Sequence, residues 1–221
     1  MSVSTSGVSL RERQRQEREQ LIVSAAEELF LEQGYHDTSI DDIAARVGIA
    51  KGTVYLHFAS KEELMVALHE RGMRSFIGML DTTLASDATP RHKLEVVIEH
   101  MFGSLSSRHY QLFTSVFRNP EFAEFVARLR EKKSLLDDLW KEPTRRLIEL
   151  LDAGKAAGEF DDTMPTSVML ALFWSLVAPH GFQRLIEREQ MAPAAIARYV
   201  TNFFFKGIAA PHQTTLGGDH Q

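Results

Sequence analysis

The stretch VGIAKGTVYLHFASKEEL, residues 47–64, interrupts a helical pattern and restarts it within a few positions. Gly48 supplies the positive φ that a tight turn requires. Apolar residues recur at helical spacing on both sides of that glycine. We therefore predict a helix over 39–47, a turn at Gly48 and a second short helix over 50–58.

Two short helices joined by a tight turn are typical of a helix-turn-helix, in which the second helix enters a groove of DNA. Ile43, Val47 and Val54 are predicted to face inward and to fix the crossing of the two helices. Ser39 is the predicted N-cap of the first helix, because Asp42 stands at the capping-box position three residues later.

The outer face of the second helix carries small and polar side chains that suit a duplex. Lys51 and Tyr55 can bond phosphate oxygens, while Gly52 lets the backbone approach a phosphate. Thr53 and His57 can reach base edges. Two alternatives stay open: Tyr55 as an aromatic that packs between helices, and His57 as an ordinary surface histidine.

Helical spacing of apolar residues extends over nearly the whole chain of 221 residues, which predicts an all-α fold of about nine helices. Gly34 is the predicted left-handed C-cap of the first helix. Pro143 is expected to kink or split the helix that contains it. The later helices are predicted at 60–84, 90–106, 110–117, 120–157, 165–189 and 193–207.

Charge and composition limit the function. The net charge is −5, and residues 1–60 carry six Lys and Arg against nine Asp and Glu, so nucleic-acid binding must depend on local placement of charge. Four arginines in 11–18 predict either a mobile arm that adds DNA affinity or a solvated helix start. The absence of cysteine, of a signal-peptide pattern and of a membrane-length apolar run predicts a cytoplasmic protein.

The pieces LF..QGY..TSI.DIA..VGI.KGTVY.HF.SKEEL, spread over 20–68, make the chain resemble the TetR family of transcriptional regulators. The resemblance implies a flexible basic arm over 1–16, a DNA-binding domain over 17–62, a six-helix ligand-binding and dimerisation domain over 63–210, and a disordered tail over 211–221. Family members often have serine where Ala50 stands. The DNA contacts carried over are Thr38, Ser39, Lys51, Gly52, Thr53, Tyr55, His57 and Lys61.

The later helices are rich in aromatic residues, most of which must form the core. Predicted wall residues of an effector pocket are Phe102, Phe113, Phe117, Trp140, Phe173 and Trp174, which suit an apolar or aromatic effector. An apolar stripe near the C-terminus predicts a homodimer, with packing inside the monomer as the alternative. The stripe consists of Ile196, Tyr199, Val200 and Phe203.

Two functions of different class follow. The first is a repressor that a small-molecule effector releases from a pseudo-palindromic operator. The second is a helical enzyme or small-molecule carrier, although the sequence contains no nucleophile–base pattern, metal-spaced histidine pair or phosphate loop. We therefore predict no catalytic residue, no metal site and no cofactor.

Overall fold

The computed structural model describes residues 9–105, 135–178 and 182–209, with positions 107, 110, 112, 116 and 124 between the first two ranges. For 135–140 and 183 it describes the backbone alone. Across these residues the regular elements are nine helices, and the β-structure is one isolated bridge between Phe160 and Ala209. The helices are α1 (Leu10–Gln33), α2 (Ile40–Val47), α3 (Lys51–Tyr55), α4 (Lys61–Ala85), α5 (Pro90–Ser104), α6 (Leu135–Ala156), α7 (Thr166–Val177), α8 (Gln183–Glu187) and α9 (Pro193–Ile208).

The first helix includes part of the segment predicted as an arm. Ser9 is its N-cap, and the Ser9 hydroxyl accepts a hydrogen bond from the backbone N–H of Glu12 at 3.2 Å. Arginine, glutamine and glutamate all favour helices, so the capped segment continues α1 instead of forming an arm. The flexible arm predicted over 1–16 is therefore wrong for residues 10–16, and residues 1–8 lie outside the described part.

The start of α2 forms as the local sequence predicts. Ser39 Oγ accepts from the Asp42 N–H at 3.1 Å, and Asp42 Oδ2 accepts from the Ser39 N–H at 2.8 Å. Gly48 ends the helix in the left-handed region with φ 77° and ψ 33°, which confirms its predicted role in the turn. Gly34 also has positive φ, 94°, but its ψ of 157° is extended, so the predicted left-handed cap is wrong there.

Contacts divide the chain into two compact units, and the division falls inside α4 at Arg74. The sequence predicted a domain boundary at residue 62, which lies at the start of α4 and not inside it. In the first unit, α1, α2, α3 and the first part of α4 share one core. Side chains at its centre with no exposed surface include Ile22, Ala26, Ile43, Val54, Leu64 and Met65.

In the second unit, α9 packs against α5 and α7. Its largest fully buried side chains include Phe102, Phe160 and Phe173. The ring of Phe160 lies directly on Gly154 of α6, where it occupies the space that a Cβ atom would need. Next to it, the N–H of Asp161 bonds Ile208 O at 2.8 Å and ties the end of α9 to this loop.

One prediction about the later helices is wrong, and another is tested only in part. The single helix predicted over 165–189 is two, because α7 ends at Val177 and Ala178 is extended, with φ −60° and ψ 120°. Pro179 follows in the sequence, and a residue before proline avoids the helical region. Pro143 does not split α6, which runs through it, and the kink predicted as the other possibility stays a prediction. The helix predicted over 110–117 and residues 120–134 lie largely outside the described residues.

Candidate nucleic-acid interface

The outer face of α3 is open to solvent. Lys51 and Gly52 are exposed, Tyr55 is 47% exposed, and Leu56 just past the helix is almost fully exposed. Thr53 lies between them and is half-buried. The structure therefore brings together five neighbouring residues on a surface of one short helix and the turn that follows it.

The opposite face of α3 is anchored in the core. Val54 has no exposed surface and belongs to the same cluster as Ile43 of α2, while Val47, Ile49 and Phe58 pack around them as partly buried side chains. These contacts confirm the predicted inward positions. They fix the angle between α2 and α3, so the exposed face is held in place by residues that do not belong to it.

Lys51 forms an exposed ion pair with Asp41 of α2, with Nζ 2.6 Å from Oδ2. The hydrogen bond to Asp41 raises the pKa of Lys51 above its ordinary value. Exposed pairs of this kind add little to stability, so the ammonium can exchange Asp41 for a phosphate at small cost. Gly52 is open too, because a Cβ added there would meet no heavy atom within 4 Å.

The two predicted contacts before α2 differ. Ser39 is exposed at the N-terminus of the helix, although its hydroxyl also donates to Asp42 Oδ2 at 2.6 Å. Thr38 is only 2% exposed, and its hydroxyl donates to Gly34 O at 2.7 Å and accepts from Gln33 Nε2 at 3.3 Å. The predicted phosphate contact of the Thr38 side chain is therefore wrong, because that side chain holds the loop together from inside.

His57 does not lie on the outer face. Its side chain is 8% exposed, and Nδ1 lies 3.1 Å from Glu19 Oε1, an oxygen that also accepts from Arg15 Nε at 3.1 Å. The prediction that His57 reads bases assumed a helix over 50–58, whereas α3 ends at Tyr55 and the chain turns afterwards. That turn directs the imidazole towards α1, so this prediction is wrong.

Lys61 faces the loop between α1 and α2. Its ammonium donates to three carbonyl oxygens, those of Tyr35 at 2.6 Å, Thr38 at 3.0 Å and His36 at 3.2 Å. It also lies 4.4 Å from the centre of the Tyr35 ring. Burial lowers the pKa of Lys61. Since an ammonium has three N–H donors, all three are used inside the protein in this structure, so the predicted phosphate clamp requires Lys61 to give up these carbonyls and stays a prediction.

A pair of salt bridges between α1 and α2 was not predicted from the sequence. Arg46 of α2 bonds Glu28 at 3.1 Å and Glu32 at 2.7 Å, both on α1, and the hydrogen bond to Glu32 is the main cause of the raised pKa of Arg46. Glu28 and Glu32 stand four apart on one helix face, so their spacing was a signal that a cation could bridge them. No such local pattern reveals the contacts of Lys61 or His57.

The predicted pocket residues that the structure describes are packed against other rings. Phe102 lies 5.2 Å from Phe182, and Phe173 lies 5.2 Å from Trp174 and 5.9 Å from Phe204, measured between ring centres. Phe113, Phe117 and the side chain of Trp140 lie outside the described residues. The effector pocket remains a prediction.

The predicted dimer stripe on α9 separates into two faces. Ile196 and Val200 are buried in the core of their own chain, whereas Tyr199 is 59% and Phe203 is 69% exposed. Ile196 and Val200 therefore follow the alternative of packing inside the monomer, and the dimer interface stays a prediction. Among the side chains that the structure describes in this unit, the exposed large apolar ones are Val168, Leu172, Tyr199 and Phe203.

Three further features concern the described residues. They contain no group of three or more His, Cys, Asp or Glu side chains placed to hold a metal ion. They also include no helix with the length and apolarity needed to cross a membrane. A cleft of 490 Å³ opens between α1 and α4, and its lining, which contains no serine, cysteine or histidine, is formed by Gln16, Glu19, Gln20, Val23, Phe58, Ala67, Glu70, Arg71 and Arg74.

Comparison with known proteins matches the same region of the chain. Residues 22–68 match the family model described as bacterial regulatory proteins, tetR family. The fatty acid metabolism regulator protein of Bacillus subtilis (strain 168) is 30% identical over 171 residues, which are 71% of this chain and 87% of that protein. The transcriptional regulator EthR of Mycolicibacterium smegmatis is 27% identical over 198 residues, 87% of this chain and 86% of that protein.

Solved structures share the fold. The fatty acid degradation regulator FadR from Bacillus halodurans aligns with a TM-score of 0.68 and 22% identity, covering 86% of this chain and 95% of that chain. FadR from Bacillus subtilis, solved in complex with stearoyl-CoA, aligns with a TM-score of 0.66 and 24% identity over 86% and 98%. With the helix-turn-helix and the B. subtilis relative taken together, the chain belongs to the TetR family of DNA-binding transcriptional regulators.

Proposed function

We propose that this regulator is a repressor that binds a pseudo-palindromic operator as a homodimer and leaves it when an apolar effector binds. The observation that carries the proposal is the outer face of α3, which is exposed while Val54 behind it is fully buried. A face held this firmly can keep its side chains in register with base edges, which is what recognition in the major groove requires.

Each contact on that face has a role that follows from its chemistry. Lys51 and Tyr55 donate to phosphate oxygens, and the open space around Gly52 admits the backbone to the same strand. Thr53 bonds a base edge, and Leu56 packs against a thymine methyl group. Among the remaining carried-over contacts, Ser39 contributes through the N-terminus of α2, where unpaired backbone N–H groups favour an anion.

Dimerisation is supported by the exposed apolar face of the second unit. Val168 and Leu172 of α7 and Tyr199 and Phe203 of α9 belong to two helices that pack against each other. Large apolar side chains grouped in this way mark an interaction surface more often than plain solvent-exposed surface. A two-fold dimer through this face places one α3 in each of two half-sites, about 34–36 Å apart or at a multiple of that distance.

An apolar effector is supported by the aromatic content of the second unit and by the relatives. The B. subtilis relative is a fatty acid metabolism regulator, and the B. subtilis FadR structure contains stearoyl-CoA. We infer that a long-chain acyl compound is the first class to test here. Coupling of about 1–3 kcal/mol between effector and DNA is enough to lower DNA affinity by about 5- to 150-fold.

The test uses the purified full chain and a duplex from the promoter region of its own gene. We expect binding that weakens steeply with salt and exceeds the binding of a scrambled duplex, and we expect stearoyl-CoA to weaken it. Binding that is indifferent to salt and sequence would defeat the proposal and favour the enzyme or carrier. Specific binding that stearoyl-CoA leaves unchanged would exclude only the acyl class.

A further inference from the structure

The first three turns of α1 project beyond the core of their unit. Every residue from Leu10 to Arg18 is exposed, and the first residue of α1 with no exposed surface is Ile22. At a rise of about 1.5 Å per residue, Leu10 and Ile22 are about 18 Å apart along the helix axis. This segment adds almost nothing to the core, so its side chains are available to a partner.

Three of the four arginines in this segment share one face. Arg11, Arg15 and Arg18 follow at intervals of four and three residues, which places them within about 60° of one another around the helix. Arg13 lies about 160–220° away from them, on the opposite side. Glu17 lies about 100–160° and Glu12 about 60–120° from the three strip arginines. The segment is therefore weakly charged as a whole but cationic along one line.

The arginine strip ends close to α3, the helix proposed to read the bases. Ile22 follows Arg18 by four residues and continues the same face into the core. Glu19, one turn after Arg15, accepts from Arg15 and lies 3.1 Å from the imidazole of His57, just after α3. Arg18, next to Glu19, therefore lies near the turn that follows α3, and Arg15 and Arg11 follow towards the N-terminus of α1.

We propose that Arg11, Arg15 and Arg18 form a rigid strip that binds the DNA backbone beyond the end of α3; this inference rests on the proposed function. An α-helix of about 10–12 Å diameter does not fit a minor groove about 6 Å wide, so the strip lies on phosphates and not inside that groove. The exposed pair between Arg15 and Glu19 is weak and lets the guanidinium turn to a phosphate.

The strip gives affinity without sequence preference. Arg11 and Arg18 are about 10 Å apart along the axis, a span that reaches two or three phosphates of a duplex. Each phosphate contact steepens the dependence of log K on log salt by about 0.9. Because a homodimer carries two strips, replacing all three arginines with glutamine is expected to reduce the slope by about 4–5 and to leave the ratio between promoter and scrambled duplexes unchanged.

The experiment compares single variants on the two faces. Arg11→Gln and Arg18→Gln are each expected to lower the salt slope by about 1.8, one phosphate contact in each half-site of the dimer, while the matched control Arg13→Gln leaves it at the wild-type value. Equal losses for Arg13→Gln and Arg18→Gln would overturn the strip, because a mobile or diffuse cationic segment treats all arginines alike. Wild-type binding with no loss in any strip variant would overturn it as well.

A separate variant tests whether the arginine strip must be helical. Gln14→Pro keeps every charge but breaks the helix before residue 14, since proline lacks the N–H and clashes with the preceding turn. We expect it to lower the slope as much as Arg11→Gln does, whereas an unchanged slope would show that the helix is not needed. If the wild-type chain binds no duplex at all, the proposed function fails first, and that result is distinct from either outcome here.

Discussion

Replacing Lys61 with methionine separates two roles for this side chain. Methionine keeps the long apolar stem and the helix preference but removes the three N–H donors that hold Tyr35 O, His36 O and Thr38 O. A net hydrogen bond is worth about 1 kcal/mol, which would give about 3 kcal/mol for three in a fully buried site. Because Lys61 is half-buried and water can reach the loop, we expect a loss of about 1–2 kcal/mol in the free energy of unfolding.

Urea unfolding of the full chain, followed by circular dichroism, measures that loss, and the salt slope of DNA binding measures the alternative. The control is Lys51→Met, which removes an exposed lysine paired with Asp41. We expect Lys61→Met to lower stability and keep the salt slope, and Lys51→Met to keep stability and lower the slope by about 1.8, one phosphate contact in each half-site of the dimer. A stable Lys61→Met variant with a reduced slope would refute the carbonyl clamp and restore a phosphate contact.

Three further outcomes are expected. Gly154→Ala should destabilise the chain by about 1–3 kcal/mol in thermal unfolding, because the new Cβ overlaps the Phe160 ring, and a neutral or stabilising effect would contradict that contact. Phe203→Glu should give monomers in light scattering, whereas Asn202→Glu on the neighbouring exposed position should not; a dimer that survives Phe203→Glu would argue against the α7 and α9 face. The hydrogen bonds to Ser39 in the capping box hold the pKa of Asp42 below its ordinary value of 3.8. The contribution of Asp42 to the free energy of unfolding is therefore present above about pH 4 and is lost as the pH falls through the pKa of the folded state. Urea midpoints measured between pH 7 and 3 should fall less steeply for Asp42→Asn, and identical profiles would remove this carboxylate from the acid response.

Local patterns predicted the helix-turn-helix well. The capping box at Ser39 and Asp42 and the left-handed turn at Gly48 need only residues a few positions apart, and both are present. The inward positions of Ile43 and Val54 followed from apolar spacing and are confirmed as well. Such features depend on the backbone conformation of one short segment, which its own side chains determine.

Contacts between distant segments were not predictable in the same way. Lys61 bonds carbonyls 23–26 residues away, and His57 bonds Glu19 from 38 residues away, so no spacing in the sequence shows either pair. The family pattern assigned both side chains to DNA, but it contains no information about which way they turn in this chain. The apolar stripe on α9 is present in the structure. The sequence alone could not show that Ile196 faces the core whereas Phe203 faces solvent.

The central claim is that the exposed face of α3 reads sequence, and Thr53 is its most direct test. Footprinting first locates the bound segment within the promoter region of the protein's own gene. The measurement is then the ratio of the affinity for that segment to the affinity for a scrambled duplex, determined for wild type, Thr53→Ala and Tyr55→Phe. One lost base contact costs about 1 kcal/mol in each half-site, so Thr53→Ala is expected to reduce the ratio by about thirty-fold in a dimer. Tyr55→Phe should weaken both duplexes alike and leave the ratio unchanged. A ratio that survives Thr53→Ala, or collapses only with Tyr55→Phe, would contradict the claim.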